Sequence, residues 1–179
     1  VSCFAACSAA ERRELAPLCR RATYRRGQTL QEENTPLRAV RAVLAGDVLI
    51  HRSTGGTAAA RLAIVKPGET FGIGEALLPT TYTAASALTA CTTLEIDRDV
   101  FVRRFLAVPS VREAVLRELS RIARFLVCKV AGGGGRHDLS LYLRSQAEIC
   151  GQPVGGQIRL GNKQFQPEIA SLLNLSREH

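Results

Sequence analysis

Turn residues interrupt the sequence at intervals of about ten residues between Tyr24 and Asp97. Short apolar runs separated by glycine and proline turns are typical of strands that reverse direction repeatedly, and they leave no room for long helices. The spacing therefore predicts a β-sandwich or jelly-roll barrel. The turns lie at 26–27, 33–36, 46–47, 55–56, 66–68, 72–74 and 79, and the apolar runs at 39–44, 48–50, 62–65 and 94–96.

Helical patterns flank this region on both sides. Ser8 and Glu11 form a capping-box pattern and predict a helix over residues 8–20. Residues 99–107 predict a second, short helix that Pro109 ends.

A longer helix is predicted from Ser110, with Glu113 completing another capping box. Its apolar residues recur at steps of four, three, four and four, which is close to the seam of a coiled coil. Further apolar residues widen this surface, so the helix is expected to meet both the barrel and a helix of a partner chain. The expected dimer seam is Val115, Leu119, Ile122, Leu126 and Val130.

Four successive glycines at 132–135 mark the clearest boundary in the chain, because such a run does not extend a helix and makes a hinge. A helix is predicted from Leu139 to Ile149, then a turn-rich loop over 151–156 and a short strand over 158–160. The predicted fold class is α+β: a β-barrel, a long helix, a hinge and a small helical domain.

The last sixteen residues, 164–179, have the pattern of a helix-turn-helix that stops early in its second helix. Pro167 suits a first helical turn, Asn174 tolerates the left-handed turn conformation, and Ser176 is placed to cap the next helix. Arginine can bind guanine through two hydrogen bonds and glutamate can accept one from cytosine. The residues expected to face DNA are Gln164, Ser176, Arg177, Glu178 and His179. The alternative is an ordinary helical hairpin.

Composition narrows the class of protein. The net charge is +8 and the pI is near 9.7, which favours a polyanionic partner. The sequence carries no pattern of a membrane span or signal peptide, so a cytoplasmic protein without a membrane partner is expected. It also has no phosphate-binding loop, nucleophile elbow or acidic metal cluster, so no enzyme is expected. The lack of methionine and the abrupt end indicate part of a longer product.

The order of these motifs resembles the bacterial transcription factor family of the cyclic-AMP receptor protein and the fumarate-nitrate reduction regulator. The resemblance covers nearly the whole chain. It rests on five segments in the order of that family: Tyr24–Leu30, Val43–Val48, Lys66–Gly72, Ala87–Asp97 and Glu168–Glu178.

The resemblance implies a homodimeric regulator in which an effector in the barrel reorients two DNA-binding units. Two recognition helices one DNA turn apart would read a near-palindromic operator, and RNA polymerase is a further candidate partner. The expected parts are a cyclic-nucleotide-binding-like sensor over 1–109, a dimerisation helix over 110–131, a hinge over 132–137 and an incomplete winged helix-turn-helix domain over 138–179. The alternative is a barrel that senses a ligand or binds a protein but does not bind DNA.

The effector pocket departs from the members of that family that bind cyclic nucleotides. These carry a glutamate for the ribose and, about ten residues later, an arginine for the phosphate. Here the arginine position falls within residues 80–83, and no arginine or lysine lies between Lys66 and Arg98. A buried phosphate would lack a cationic partner, so cyclic AMP is disfavoured. The candidate pocket is Phe71, Gly72, Gly74, Glu75, Thr81, Tyr82 and Thr83, with a solvated or capping carboxylate as the alternative for Glu75.

Three kinds of signal remain open. An iron-sulfur cluster needs four thiolates, and the candidates are Cys3, Cys7, Cys19 and Cys91, although Cys91 also suits a small buried side chain. Haem needs an axial ligand, and His51 or a cysteine is the candidate. The third effector of family branches that lack the arginine is a hydrophobic organic acid. The other possibilities are another small ligand in an uncharged pocket, or control by the abundance of the protein.

Overall fold

The computed structural model describes residues 4, 7–53, 59–131, 139, 140, 143, 144, 147 and 151–160, without the side chains of 125 and 128–131. The chain divides into two compact units, Val1–Leu116 and Arg117–His179. The first unit contains eight strands. They are β1 (Cys19–Tyr24), β2 (Thr29–Gln31), β3 (Ala39–Ala45), β4 (Val48–Arg52), β5 (Ala60–Val65), β6 (Thr70–Phe71), β7 (Ala84–Ala87) and β8 (Cys91–Asp97).

The eight strands form two antiparallel four-stranded sheets, in the orders β1-β8-β3-β6 and β2-β7-β4-β5. Every strand contributes a side chain to one apolar core, which confirms the predicted sandwich. This core consists of Leu30, Val43, Val48, Val65, Phe71, Ala85, Ala87 and Cys91, with Tyr24 and Ile50 packed against it.

Helix α1 (Ala9–Leu15) begins at the predicted capping box, since the Glu11 N–H donates to Ser8 Oγ at 3.2 Å and the Ser8 N–H donates to Glu11 Oε2 at 2.7 Å. The predicted end at residue 20 is wrong. A short 3₁₀ turn, Ala16–Leu18, follows α1, and Cys19 already belongs to β1. Pro17 has no N–H to continue the α-helical pattern, and the next residues pair with β8 instead.

Helix α2 (Arg98–Val100) continues as a π-helical turn, Phe101–Phe105. Together they correspond to the short helix predicted over 99–107. Helix α3 (Pro109–Ala131) is the predicted long helix. Its predicted cap at Ser110 is wrong, because Pro109 is already helical and suits the first position, where no N–H is needed. The Ser110 hydroxyl instead lies 3.3 Å from both carboxylate oxygens of Glu11 and so joins α3 to α1.

The second unit contains a β-hairpin, β9 (Gly151–Val154) and β10 (Gln157–Leu160). The strand predicted over 158–160 is confirmed, whereas the loop predicted over 151–156 is a strand and a two-residue turn. The described residues between 139 and 147 are helical, as predicted. The hinge and the helix-turn-helix pattern lie outside the described residues. In the part of the chain that is described, no helix is both long and apolar enough to cross a membrane.

Gly46 occupies a turn that has no room for a side chain. Its φ is +76°, and a Cβ there would lie 2.2 Å from the carbonyl oxygen of Ala90, a backbone atom that cannot rotate away. We expect Gly46→Ala to lower the free energy of unfolding by about 2–3 kcal/mol, measured by urea denaturation. Gly27 is the matched control, with φ +81° and open space around its Cβ position. Gly27→Ala should cost only about 1 kcal/mol, and equal losses would show that the contact with Ala90 is unimportant.

Candidate functional site

The loop over residues 72–83, here called the cassette loop, joins β6 to β7 and is organised by Glu75. This carboxylate is 4% exposed. Its Oε1 accepts hydrogen bonds from the N–H groups of Tyr82 and Thr83 at 3.0 Å each and from Thr83 Oγ1 at 2.9 Å. Its Oε2 accepts one from Gln31 Nε2 at 2.7 Å. Glu75 therefore closes the loop on itself and ties it to β2.

These contacts bear on the two interpretations of Glu75, as a residue of the effector pocket or as a solvated or capping carboxylate. A carboxylate that accepts two backbone N–H groups and two side-chain donors is already satisfied without a ligand. It is not solvated, and both of its oxygens are engaged within the protein. The arrangement is a buried form of the capping alternative.

Glu75 should be important for stability. Glu75→Ala leaves the backbone N–H groups of Tyr82 and Thr83 without their acceptor and removes one of the acceptors of the Gln31 amide, so we expect a loss of about 2–3 kcal/mol in the free energy of unfolding. Glu14→Ala is the control, because the ion pair of Glu14 with Arg104 lies at the surface and should contribute below about 1 kcal/mol. Urea denaturation measures both. Similar small losses would mean that the loop does not depend on Glu75.

Thr81 stands in the segment where the resemblance places the phosphate-binding arginine. It is 1% exposed, and its hydroxyl donates to the carbonyl oxygen of Glu32 at 2.5 Å. The N–H of Thr81 donates to the carbonyl of Thr35 at 2.8 Å. Thr81 is thus a structural contact between the cassette loop and the segment after β2, and it brings no positive charge.

The structure brings only part of the predicted pocket together. Glu75 and Thr83 are in direct contact, and Thr81 lies on the same loop. Phe71 belongs to the apolar core, Gly72 has φ +83° beside the carbonyl of Ala39, and Gly74 is half-buried. Tyr82 is 45% exposed, so it does not line a closed pocket.

Sequence reasoning missed a charged row in the sandwich. The strand register places Arg20 opposite Glu95, Glu95 opposite Arg41, and Arg41 opposite Phe71. Because β1, β8, β3 and β6 are neighbours in this order, the four side chains cross the sheet in a line on one face. Phe71 belongs to the core, so this face is the interior one. We call these four residues the arginine row.

Glu95 is the centre of the arginine row. Its Oε1 accepts from Arg41 Nε at 2.8 Å and from the Tyr24 hydroxyl, and its Oε2 accepts from Arg20 Nη2 at 2.6 Å. Burial raises the pKa of Glu95, but the hydrogen bonds from Tyr24 and Arg41 and the charge of Arg41 outweigh it and hold the pKa below its usual value. The carboxylate is therefore ionised inside the sandwich. The sequence alone could not reveal this row, because the positions of its residues along the chain identify partners only once the strand register is known.

Among the cysteines proposed for a cluster, the three that the structure describes do not converge. Cys91 faces the interior with Glu95, whereas Cys19 pairs with Ile96 and lies on the opposite face of the same sheet. Cys7 is buried beside Ser110 of α3, and Cys3 lies outside the described residues. Burial raises the pKa of all three described thiols. Within the described ranges, no three His, Cys, Asp or Glu side chains form a group that could bind a metal ion.

His51 is also poorly placed for a haem in the interior. Its neighbour Ile50 packs against the core, and His51 pairs with Ala84, which alternates with the core residue Ala85. Alternation along β4 places His51 on the outer face of its sheet. This geometry disfavours the haem hypothesis as well.

The first residue of the predicted dimer seam is buried. Val115 is 6% exposed within the first unit, so it belongs to the core of one protomer and is not available to a partner. Farther along α3, Leu119 is partly exposed, and Ile122 and Leu126 are 44% and 52% exposed. The side chain of Val130 is not among those that the structure describes. The DNA-facing candidates, Gln164 and Ser176 to His179, also lie outside it.

Comparison with known proteins supports the fold. Residues 21–107 match the family model described as the cyclic nucleotide-binding domain. A search of curated proteins found no significant match. Among solved structures, the N-terminal domain of a transcriptional regulator from Streptomyces coelicolor A3(2) is 29% identical, with a TM-score of 0.55, covering 68% of this chain and 86% of that chain.

Two further structures share the fold. The sensor domain of the transcriptional regulator DNR from Pseudomonas aeruginosa is 19% identical, with a TM-score of 0.58, covering 66% of this chain and 80% of that chain. The Thermus thermophilus Catabolite Activator Protein is 22% identical, with a TM-score of 0.62, covering 98% of this chain and 81% of that chain. Most similar structures are regulators, and some belong to an enzyme or to a subunit that regulates one. In sequence, residues 21–107 therefore match the cyclic nucleotide-binding domain, and the chain shares its fold with solved structures that are mostly regulators.

Proposed function

We propose that the chain is a sequence-specific, DNA-binding transcription regulator of the cyclic-AMP receptor protein and fumarate-nitrate reduction regulator family, acting as a homodimer. The observation that carries the proposal is the order of parts: a cyclic nucleotide-binding domain is followed directly by a long helix with exposed apolar residues. The helix-turn-helix pattern over 164–179 and the net charge of +8 support DNA as the partner.

The proposed effector is not cyclic AMP. The cassette loop contains no arginine or lysine, and its glutamate is occupied by hydrogen bonds within the protein. The nearest cations along the sequence are also engaged. Lys66 Nζ lies 3.1 Å from Asp47 Oδ2, and Arg98 Nε donates to the carbonyl of Ala76 at 2.8 Å. The cassette loop itself therefore supplies no positive charge to a cyclic phosphate.

A gel-shift experiment tests the proposal. Selection from randomised double-stranded DNA should yield a near-palindrome that the protein binds more tightly than a scrambled sequence, with an affinity that falls as salt rises. Cyclic AMP should leave this affinity unchanged. No binding at low salt, with or without oxygen, would refute the proposal and favour a barrel module that does not bind DNA.

Arg177→Ala tests the proposal that Arg177 recognises a base of the operator. The substitution should reduce affinity for the selected sequence by about 1–3 kcal/mol and relax the preference at one G·C pair, because a bidentate arginine distinguishes guanine from other bases. Competition gel shifts with single-base operator variants measure this. An equal loss on selected and random DNA would assign Arg177 to phosphate contact instead.

A further inference from the structure

Strand β1 lies at the edge of its sheet. In the order β1-β8-β3-β6 it pairs with β8 along its whole length, and no other strand among the described residues pairs with it. Arg20, Arg21 and Thr23 on this strand are exposed. The free side of an edge strand presents backbone N–H and C=O groups, to which a further extended chain can bind.

Three exposed arginines, Arg21, Arg25 and Arg26, follow this edge. Arg21 belongs to β1, and the other two lie in the turn after it, where the Gln28 N–H donates to the carbonyl of Arg25 at 3.0 Å. None of the three guanidinium groups forms an ion pair with a described residue. Residues 15–31 contain four arginines and neither Asp nor Glu, so the positive charge of this segment has no local counterpart.

The strand register explains why Arg21 lacks the partner that Arg20 has. Arg20 faces the interior and binds Glu95 at 2.6 Å. Because side chains alternate along a strand, Arg21 points to the outer face, where it lies opposite Leu94 of β8. The residues of β8 on that outer face are uncharged, and they are Thr92, Leu94 and Ile96. The outer side of this edge therefore carries cations without neighbouring carboxylates from β8.

The edge and its charges together select a class of partner. A second copy of β1 would bring the arginines of two chains together, and an apolar strand would leave them without counter-charges. An extended peptide with carboxylates at alternate positions fits both features. Its backbone can pair with the free side of β1, and its carboxylates can bind the guanidinium groups. A nucleic acid could satisfy the charges, but it has no amide backbone with which to continue the sheet.

We propose that residues 19–26 bind an extended acidic segment of a partner protein, which joins the sheet beside β1 as a fifth strand. None of these residues belongs to the cassette loop or to the helix-turn-helix pattern. The proposal therefore goes beyond the regulator function and gives the barrel a protein partner of its own.

Fluorescence anisotropy of labelled peptides with the full chain tests this proposal. One peptide alternates glutamate and valine, a second alternates glutamate and proline, and a third alternates lysine and valine. We expect the first to bind, with an affinity that falls as salt rises, and the third not to bind. The second should bind at least about tenfold more weakly, because proline cannot donate to a β-ladder. Absence of binding by the first peptide, or equal affinity for both acidic peptides, would overturn the proposal.

Hydrogen–deuterium exchange measures whether the peptide joins the sheet. Binding of the glutamate–valine peptide should slow amide exchange in β1 and leave exchange in β5 unchanged, because β5 is an edge strand of the other sheet. Unchanged exchange in β1 would mean that the peptide binds without adding a strand, which contradicts the proposal. If random duplex DNA slows exchange in β1 and the peptide does not, the partner is a nucleic acid and the proposal is wrong.

Arg21→Glu tests the contribution of the charges. The substitution replaces an attractive pair by a repulsive one, so binding of the glutamate–valine peptide should weaken about tenfold. Arg38→Glu is the matched control, because Arg38 is also exposed but precedes β3, two strands away in the same sheet. It should bind within about twofold of the wild type, and both variants should keep the wild-type melting temperature.

Equal losses of affinity in these two variants would show that net charge alone drives binding, and would remove the assignment to β1. The peptide titrations do not depend on DNA. A failed gel shift would therefore count against the proposed regulator and leave this docking surface standing, whereas failed titrations would count against the docking surface alone.

Discussion

Glu95→Leu is expected to lower the free energy of unfolding by about 3–5 kcal/mol, because it leaves Arg41 as a buried charge without a partner. The Tyr24 hydroxyl loses its acceptor in the same variant. Urea denaturation followed by circular dichroism measures the loss. For a domain of this size, such a loss would consume a large part of the total stability.

Two controls separate the buried pair from the surface contact. Arg20→Ala removes a partner of Glu95 whose side chain is 79% exposed, and it should cost less than about 1 kcal/mol. Arg41→Met combined with Glu95→Leu removes both buried charges and should recover most of the stability. A double variant as unstable as Glu95→Leu alone would show that packing, and not the unpaired charge, causes the loss.

The same ion pair predicts a dependence of stability on pH. The folded state holds the pKa of Glu95 below its ordinary value. The stabilisation is therefore complete above the pKa of the unfolded chain, near 4.3, and is lost as the pH falls through the lower pKa of the folded protein. The double Arg41→Met, Glu95→Leu variant should lose less stability over that acidic range than the wild type. An identical acid profile would show that other carboxylates dominate it.

The parts of the fold that depend on local sequence were predictable. The Ser8 and Glu11 capping box is local, as are the turns that separate the strands. The structure has the capping box and the described turns where the sequence places them, and the turn predicted at 55–56 lies outside the described residues. Ser110 shows the limit of this reasoning. Its spacing to Glu113 fits a cap, but Pro109 opens the helix first and the hydroxyl binds Glu11, which lies 99 residues away in sequence.

The candidate site depends on strand register, which the sequence does not specify locally. Arg20 and Arg41 are 75 and 54 residues from Glu95, and only the pairing of β8 with both β1 and β3 brings them together. The same register places Cys19 and Cys91 on opposite faces of one sheet. A shift of one residue would reverse both results, since each shift exchanges the two faces of a strand. Counting candidate ligands along the sequence therefore identified neither the charged row nor the separation of the cysteines.

Leu126→Glu combined with Ile122→Glu is expected to convert the proposed dimer to a monomer. Both side chains are large, apolar and exposed on α3, and a dimer interface there would have to bury the two new carboxylates without partners. A monomer presents one recognition helix to a site built from two half-sites. We therefore expect at least about a hundredfold loss of affinity for the selected near-palindrome, with the melting temperature of the barrel unchanged.

Arg124→Glu is the matched control for this variant. It introduces a carboxylate at an exposed position. This position lies about 200° around the helix from Leu126 and is therefore outside the apolar surface. Sedimentation velocity should show a dimer for the wild type and for Arg124→Glu, and a monomer for the double variant, while gel shifts follow the same order. If the double variant sediments as a dimer, the exposed apolar face of α3 is not the dimer seam. If it is monomeric but binds the palindrome with wild-type affinity, the two DNA-binding units do not act as a pair, and the proposed mechanism of reading DNA is wrong.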